Sequence, residues 1–120
     1  MKSCNISLNN EKVKYDFVID SNNNIVKVMM TYTGKSENLD NFEAASKINS
    51  WKLNGIKSTL SGGSVDFVLL VTVTLNDLDL SVFSSYKEIF DKLNMNISNI
   101  KNYNEYTTYL KTVNASFVCE

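Results

Sequence analysis

The chain predicts a single α+β domain spanning residues 1–120, a mainly antiparallel sheet packed against helices in the order βββ-α-ββ-α-α-β. Three observations lead there. Apolar and polar residues alternate along 12–19, 25–33 and 65–75, the period of strands. Around those stretches the apolar period lengthens to three or four residues, at 39–51, 82–93 and 103–113, the period of helices. The 120 residues can enclose one core but not two, and no linker, repeat or low-complexity segment divides them.

Each element follows from its residues. Cys4-Asn5-Ile6-Ser7-Leu8 reads as a short first strand, with Met1 to about Ser3 expected to be added or tether residues ahead of it. In the next strand Val13, Tyr15, Phe17 and Ile19 share a face. Asp20-Ser21-Asn22-Asn23-Asn24 is a turn, because Asp and Asn bond nearby backbone and tolerate the left-handed region. A third strand then groups Val26, Val28, Met30 and Tyr32, completing an antiparallel meander. Leu39, Phe42, Ala45, Ile48 and Trp51 mark a helix of about four turns that stops at Asn54-Gly55. A second hairpin turns at Ser61-Gly62-Gly63-Ser64. Its second strand puts Val65, Phe67, Leu69, Val71, Val73 and Leu75 on one face. The opposite face (Asp66, Val68, Leu70, Thr72, Thr74) is half apolar, which predicts a central strand covered on both sides. Val82, Phe83, Tyr86, Ile89, Phe90 and Leu93 form an amphipathic helix. The last helix is capped by Asn102 with Glu105 three residues on. It turns Tyr103, Tyr106, Tyr109, Leu110 and Val113 inward and ends at Asn114, before a final strand Ser116-Phe117-Val118-Cys119.

Composition narrows the function by exclusion. The chain has no Pro, His, Arg or Gln; its twelve basic residues are all Lys, and seventeen residues are Asn. Lys, Asn, Ile and Tyr are favoured by AT-rich codons, so the bias points to a low-GC bacterial genome rather than to an activity. A net charge of −1 with no basic run argues against electrostatic capture of nucleic acid or anionic lipid, and the bidentate Arg reader of phosphate and guanine is missing. The longest apolar run, 67–71, is too short to span a membrane, and no signal-peptide core follows Met1.

Little chemistry is visible. A Ser or Cys nucleophile would lack a His base. The glycine pair at Gly62-Gly63 joins two strands rather than opening a helix, so it reads as a turn and not a phosphate loop. Asp20, Asn22 and Asn24 have the opening spacing of a calcium loop, but Ile25 and Thr31 stand where the Gly and the closing Glu belong. Asp66, Asp77 and Asp79 are better read as strand-end and helix-start acids than as a cation site. No metal, haem or nucleotide is expected. The candidate binding surface is Tyr103, Tyr106 and Tyr109, with Trp51, set against plain packing of the same rings on the sheet. Cys4 and Cys119 sit in the two terminal strands. A disulfide between them would close almost the whole chain and would place the domain in an oxidising compartment; buried free thiols, lipidation of Cys4 or an intermolecular bond are the alternatives.

The order of motifs resembles the YehR-like lipoproteins, a bacterial family of unassigned function. The likeness lies in Ile6-Ser7-Leu8, Val13-Lys14-Tyr15-Asp16-Phe17 and Ile25-Val26-Lys27-Val28, then in Gly55-Ile56-Lys57 and Val71-Thr72-Val73-Thr74-Leu75-Asn76-Asp77-Leu78-Asp79-Leu80. It closes at Tyr109-Leu110-Lys111 and Phe117-Val118-Cys119-Glu120. Relatives often carry a Gly where this chain has Asn114-Ala115-Ser116. The resemblance implies a secreted α+β domain tethered by an N-terminal lipid, its only membrane attachment, and brings no active site with it. Three functions follow as expectations. The first is a monomeric, non-enzymatic cell-envelope module that binds an unknown protein or small ligand through its sheet face or Tyr-bearing helix. The second is a small hydrolase using Asp, Glu and Lys side chains, and the third is an intracellular interaction protein if the cysteines are reduced.

Overall fold

The computed structural model describes residues 1–79, 86–98 and 101–120. Three strands open the chain as an antiparallel meander: β1 (Lys2–Leu8), β2 (Glu11–Ile19) and β3 (Ile25–Lys35). Helix α1 (Leu39–Ser50) leads to the hairpin β4 (Ile56–Gly62) and β5 (Asp66–Thr74). A 3-10 turn (Leu75–Asp77), α2 (Lys87–Lys92), α3 (Tyr103–Val113) and β6 (Val118–Cys119) complete it. The six strands form one antiparallel sheet in the order β4-β5-β3-β2-β1-β6. The expected α+β class and element order hold.

Alternation decides which side of the sheet is covered. Val13, Tyr15 and Phe17 of β2, Val28, Met30 and Tyr32 of β3, and Phe67, Leu69, Val71 and Val73 of β5 are buried on one face, under the helices. α3 lays Tyr103 and Tyr106 edge-on to Phe17, and α1 sets Phe42 against Phe67. The segment between α2 and α3 adds Leu93, Met95 and Ile97 to the same core. The opposite face carries no helix of the described residues: Leu70 is 40% exposed, and Val68, Thr72 and Thr74 are half-buried. β5 is therefore interior to the sheet, and among the described residues helices cover one of its sides only; Val68 and Leu70 of the second face suit the strand by propensity.

Local departures have local causes. Lys2 and Ser3 pair with Phe17 and Asp16, so β1 extends two residues ahead of Cys4. α1 stops at Ser50, before Trp51, whose backbone is extended (ψ 140°). The Ser50 hydroxyl donates to the Lys47 carbonyl (2.7 Å), and Trp51 swings out to pack on Tyr86 and Phe90. The buried side of α1 is Ala44, Ala45 and Ile48, while Leu39 is 73% exposed. Gly55 is left-handed (φ 81°) as the turn into β4, and a Cβ there would sit 2.9 Å from the Thr74 carbonyl. Val65 lies in the hairpin loop, exposed, rather than on the buried face of β5. Val113 also faces solvent, at the frayed end of α3. Asn114 ends that helix in an extended conformation (φ −153°), its side chain accepting from the Ser116 N–H. Val82 and Phe83 lie outside the described residues.

Candidate functional site

A two-residue turn, Asn9-Asn10, joins β1 to β2, with Asn10 in the left-handed region (φ 65°). The next residue, Glu11, has the same strand parity as Val13 and Tyr15 and so points to the helix side of the sheet. Its carboxylate is the centre of a polar network. Tyr32 of β3 donates its hydroxyl to Glu11 Oε2, and Asn41 of α1 donates to the same oxygen (3.3 Å) and to the Tyr32 oxygen (2.9 Å). Asn94, left-handed at φ 55° just past α2, donates its amide to Glu11 Oε1. Four segments distant in sequence thus meet on one side chain.

Gly34 makes this possible. A Cβ at Gly34 would lie 2.6 Å from Tyr32 Cε1 and 3.1 Å from Phe67 Cζ, so only glycine lets the Tyr32 ring lie back toward Glu11. In front of the network opens a cleft of about 340 Å³, lined by Asn9, Asn10, Glu11 and Tyr32 from the sheet, Lys35 and Glu37 after β3, and Asn38 and Asn41 of α1. Asn38 caps α1, accepting from the Asn41 N–H (3.2 Å).

Burial pushes the Tyr32 hydroxyl well above its ordinary range, and its bond to Glu11 adds to the rise, so it holds its proton at neutral pH. Both oxygens of Glu11 already accept hydrogen bonds. Glu37, the other carboxylate of the cleft, is exposed. The other polar groups of the lining are Lys35 and the amides of Asn9 and Asn10, with Asn38 and Asn41 already engaged in the cap and the network. Among the described residues no group of three or more Cys, Asp or Glu is placed to hold a metal ion.

The residues singled out in the sequence lie elsewhere. Tyr103 and Tyr106 are buried, and their hydroxyls donate to the carbonyls of Glu120 (2.7 Å) and Asn96 (2.6 Å); half-buried Tyr109 reaches the Ile97 carbonyl (3.5 Å). They latch the 94–97 segment and the C-terminus onto the sheet instead of lining an open surface, because a ring buried over β2 must find a partner for its hydroxyl. Tyr106 does border a gap of about 20 Å³ beneath Ile97, room for one water and no more. Trp51 is half-buried between α1 and α2. Cys4 and Cys119 are directly opposed on β1 and β6 and form a disulfide with a Cα–Cα distance of 4.0 Å. Glu11, Tyr32, Asn41 and Asn94 escaped the sequence reading. The parity of Glu11 and the glycine inside β3 were the available signals, but nothing local joins residues 83 positions apart.

No family model matches the chain, and no curated protein matches it. A solved NMR structure of a protein from Streptococcus pneumoniae TIGR4 is similar in fold, with a TM-score of 0.66 at 10% identity over all of this chain and 84% of that one.

Proposed function

We propose that this chain is the extracytoplasmic domain of a lipid-anchored bacterial cell-envelope protein, a YehR-like module that binds a small polar molecule in the Glu11 cleft without transforming it. The observation that carries the binding reading is the cleft itself, amide-lined, with its central carboxylate held by Tyr32, Asn41 and Asn94. Its placement outside the cytoplasm is supported by the Cys4–Cys119 bond, since disulfides persist in oxidising compartments, and by the family resemblance. A hydrolase needs a carboxylate free to exchange protons at a substrate, and the three hydrogen bonds that Glu11 already accepts disfavour that role.

Two measurements test the proposal. Thiols of the protein in intact cells are alkylated before and after reduction, and the full-length product is followed for fatty-acid incorporation and membrane fractionation. Full protection before reduction, with acylation, supports the placement; free thiols without acylation would replace it with an intracellular interaction protein. Titration of small polar compounds, saccharides and amino acids among them, against the labelled domain is read by amide shifts. Shifts at Asn10, Glu11 and Asn41 support the site, and their absence across the panel counts against it.

A further inference from the structure

The face of the sheet that no described helix covers is not uniformly polar. On β1 to β5 its charged residues are Lys12, Lys14 and Asp16 of β2, Lys27 and Lys35 of β3, Lys57 of β4 and Asp66 of β5. Five lysines against two aspartates give +3; the chain as a whole carries −1, so the remaining surface carries −4. Lys35 is paired to Asp66 (2.9 Å) and Lys14 lies 3.7 Å from Asp16, whereas Lys12, Lys27 and Lys57 make no ion pair among the described residues. The cross-strand register sets these lysines around a centre of Met29, Thr31, Val68, Leu70 and Thr72: Asp16 faces Met29, which faces Thr72 and then Lys57, and Lys14 faces Thr31 and then Leu70. An acidic residue, Glu120, lies at the far margin, past β6.

We propose that this face docks an acidic protein surface. Five strands about 4.8 Å apart and roughly eight residues long present roughly 650 Å², close to the roughly 800 Å² that each partner gives a standard stable interface. A partly apolar centre within a polar, charged rim is the common anatomy of such interfaces. The sign of the rim selects the partner. Two copies set face to face would bring +3 against +3, which excludes a symmetric dimer through this surface. A bilayer is the poorer fit because Met29 and Val68 are half-buried and Leu70 is 40% exposed, leaving little apolar area to insert. The inference stands apart from the Glu11 cleft, which opens on the helix side.

The test uses poly-L-glutamate as an acidic polypeptide probe at low salt, with amide shifts as the readout. Shifts confined to β2 to β5 are expected. Lys12→Gln, Lys14→Gln and Lys57→Gln together should weaken binding about tenfold, with the effect fading as salt is added. The matched triple Lys47→Gln, Lys92→Gln and Lys111→Gln, of equal net charge but on the helices, should change it less than twofold. Leu70→Asp should weaken binding at least as much as the first triple. Equal losses in the two triples would reduce the effect to net charge and overturn the proposal. So would absence of binding, tighter binding to phosphatidylglycerol vesicles than to the polypeptide, or self-association of the free domain.

Discussion

Glu11 shows how much one residue can organise. It is half-buried, and its two oxygens take hydrogen bonds from Tyr32, Asn41 and Asn94, linking the first hairpin to α1 and to the start of the 94–97 segment. Glu11→Gln replaces one acceptor with a donor, so either Tyr32 and Asn41 or Asn94 must face an N–H. Urea unfolding should show a loss of about 1–3 kcal/mol, the cost of leaving a buried polar group unpaired. Gly34→Ala attacks the same site by volume. The added methyl would sit 2.6 Å from Tyr32 Cε1, so it should displace the ring toward the cleft and cost roughly 1–3 kcal/mol. Loss of the Tyr32 contact would appear as shifts at Asn41, and an unperturbed Asn41 would contradict this packing. Asparagine was legible as turn chemistry, and among the described residues the three non-glycine residues with positive φ, Asn10, Asn23 and Asn94, are all Asn. That one of them would also donate to Glu11 was not legible, because the bond spans the chain.

At the scale of elements, periodicity found each strand and helix that can be compared, and erred where a side chain or a neighbour sets the end. Leu39 and Val113 fit the helical period yet face solvent, at the first position of α1 and the last of α3. The Gly62-Gly63 turn uses no positive φ, so its glycines are not required by backbone handedness. The 94–97 segment alternates Asn with buried Met95 and Ile97, a strand-like pattern too short to stand out, and it joins no strand of the sheet; tyrosines hold it. Tyr15 accepts from the Asn96 N–H (2.6 Å) and donates to the Asn94 carbonyl (3.3 Å), while Tyr106 donates to the Asn96 carbonyl. Tyr106→Phe and Tyr15→Phe should each cost about 1–3 kcal/mol, and the double variant should depart from additivity by more than about 0.5 kcal/mol because both hydroxyls hold the backbone of one residue, Asn96. Strict additivity would mean the segment is held by packing alone. The same residues set an alkaline limit. Burial raises the hydroxyls of Tyr15, Tyr32 and Tyr106 above their usual range. The unfolded chain therefore releases these protons at lower pH than the folded one. Their contribution is complete below about pH 10 and is lost above it, at about 1.4 kcal/mol per pH unit for each tyrosine. Tyrosinate absorbance and circular dichroism should change together in that range; ionisation of all six tyrosines while the fold persists would refute it.

For the whole molecule the sheet brings the two ends of the chain side by side, and the disulfide fixes them there. β6 contributes only two residues, paired as Cys4 with Cys119 and Asn5 with Val118, plus one bond from the Glu120 N–H to the Ser3 carbonyl (3.0 Å). That bond makes Ser3 and Glu120 a hydrogen-bonded pair, so the cysteines occupy the adjacent non-bonded position, where opposed side chains approach most closely. The pairing was legible because both cysteines fell in short terminal strands; the register that opposes them was not, since it depends on α3 returning the chain to the β1 edge. Closing a loop of 115 residues is credited with about 4.8 kcal/mol of lost unfolded-state entropy, an upper figure because the unfolded chain keeps some structure. Replacing both cysteines with serine should lower stability by about 2–5 kcal/mol and the melting temperature by roughly 10 °C or more. The entropic origin makes a second forecast: freed of its closure the unfolded chain expands, so the urea m-value should rise while the native amide spectrum outside β1 and β6 stays as it was. A fall in stability with an unchanged m-value would place the effect in native contacts. Fraying of β6 alone, with no shift of the global midpoint, would show that the edge strand is dispensable and that the bond does not hold the fold.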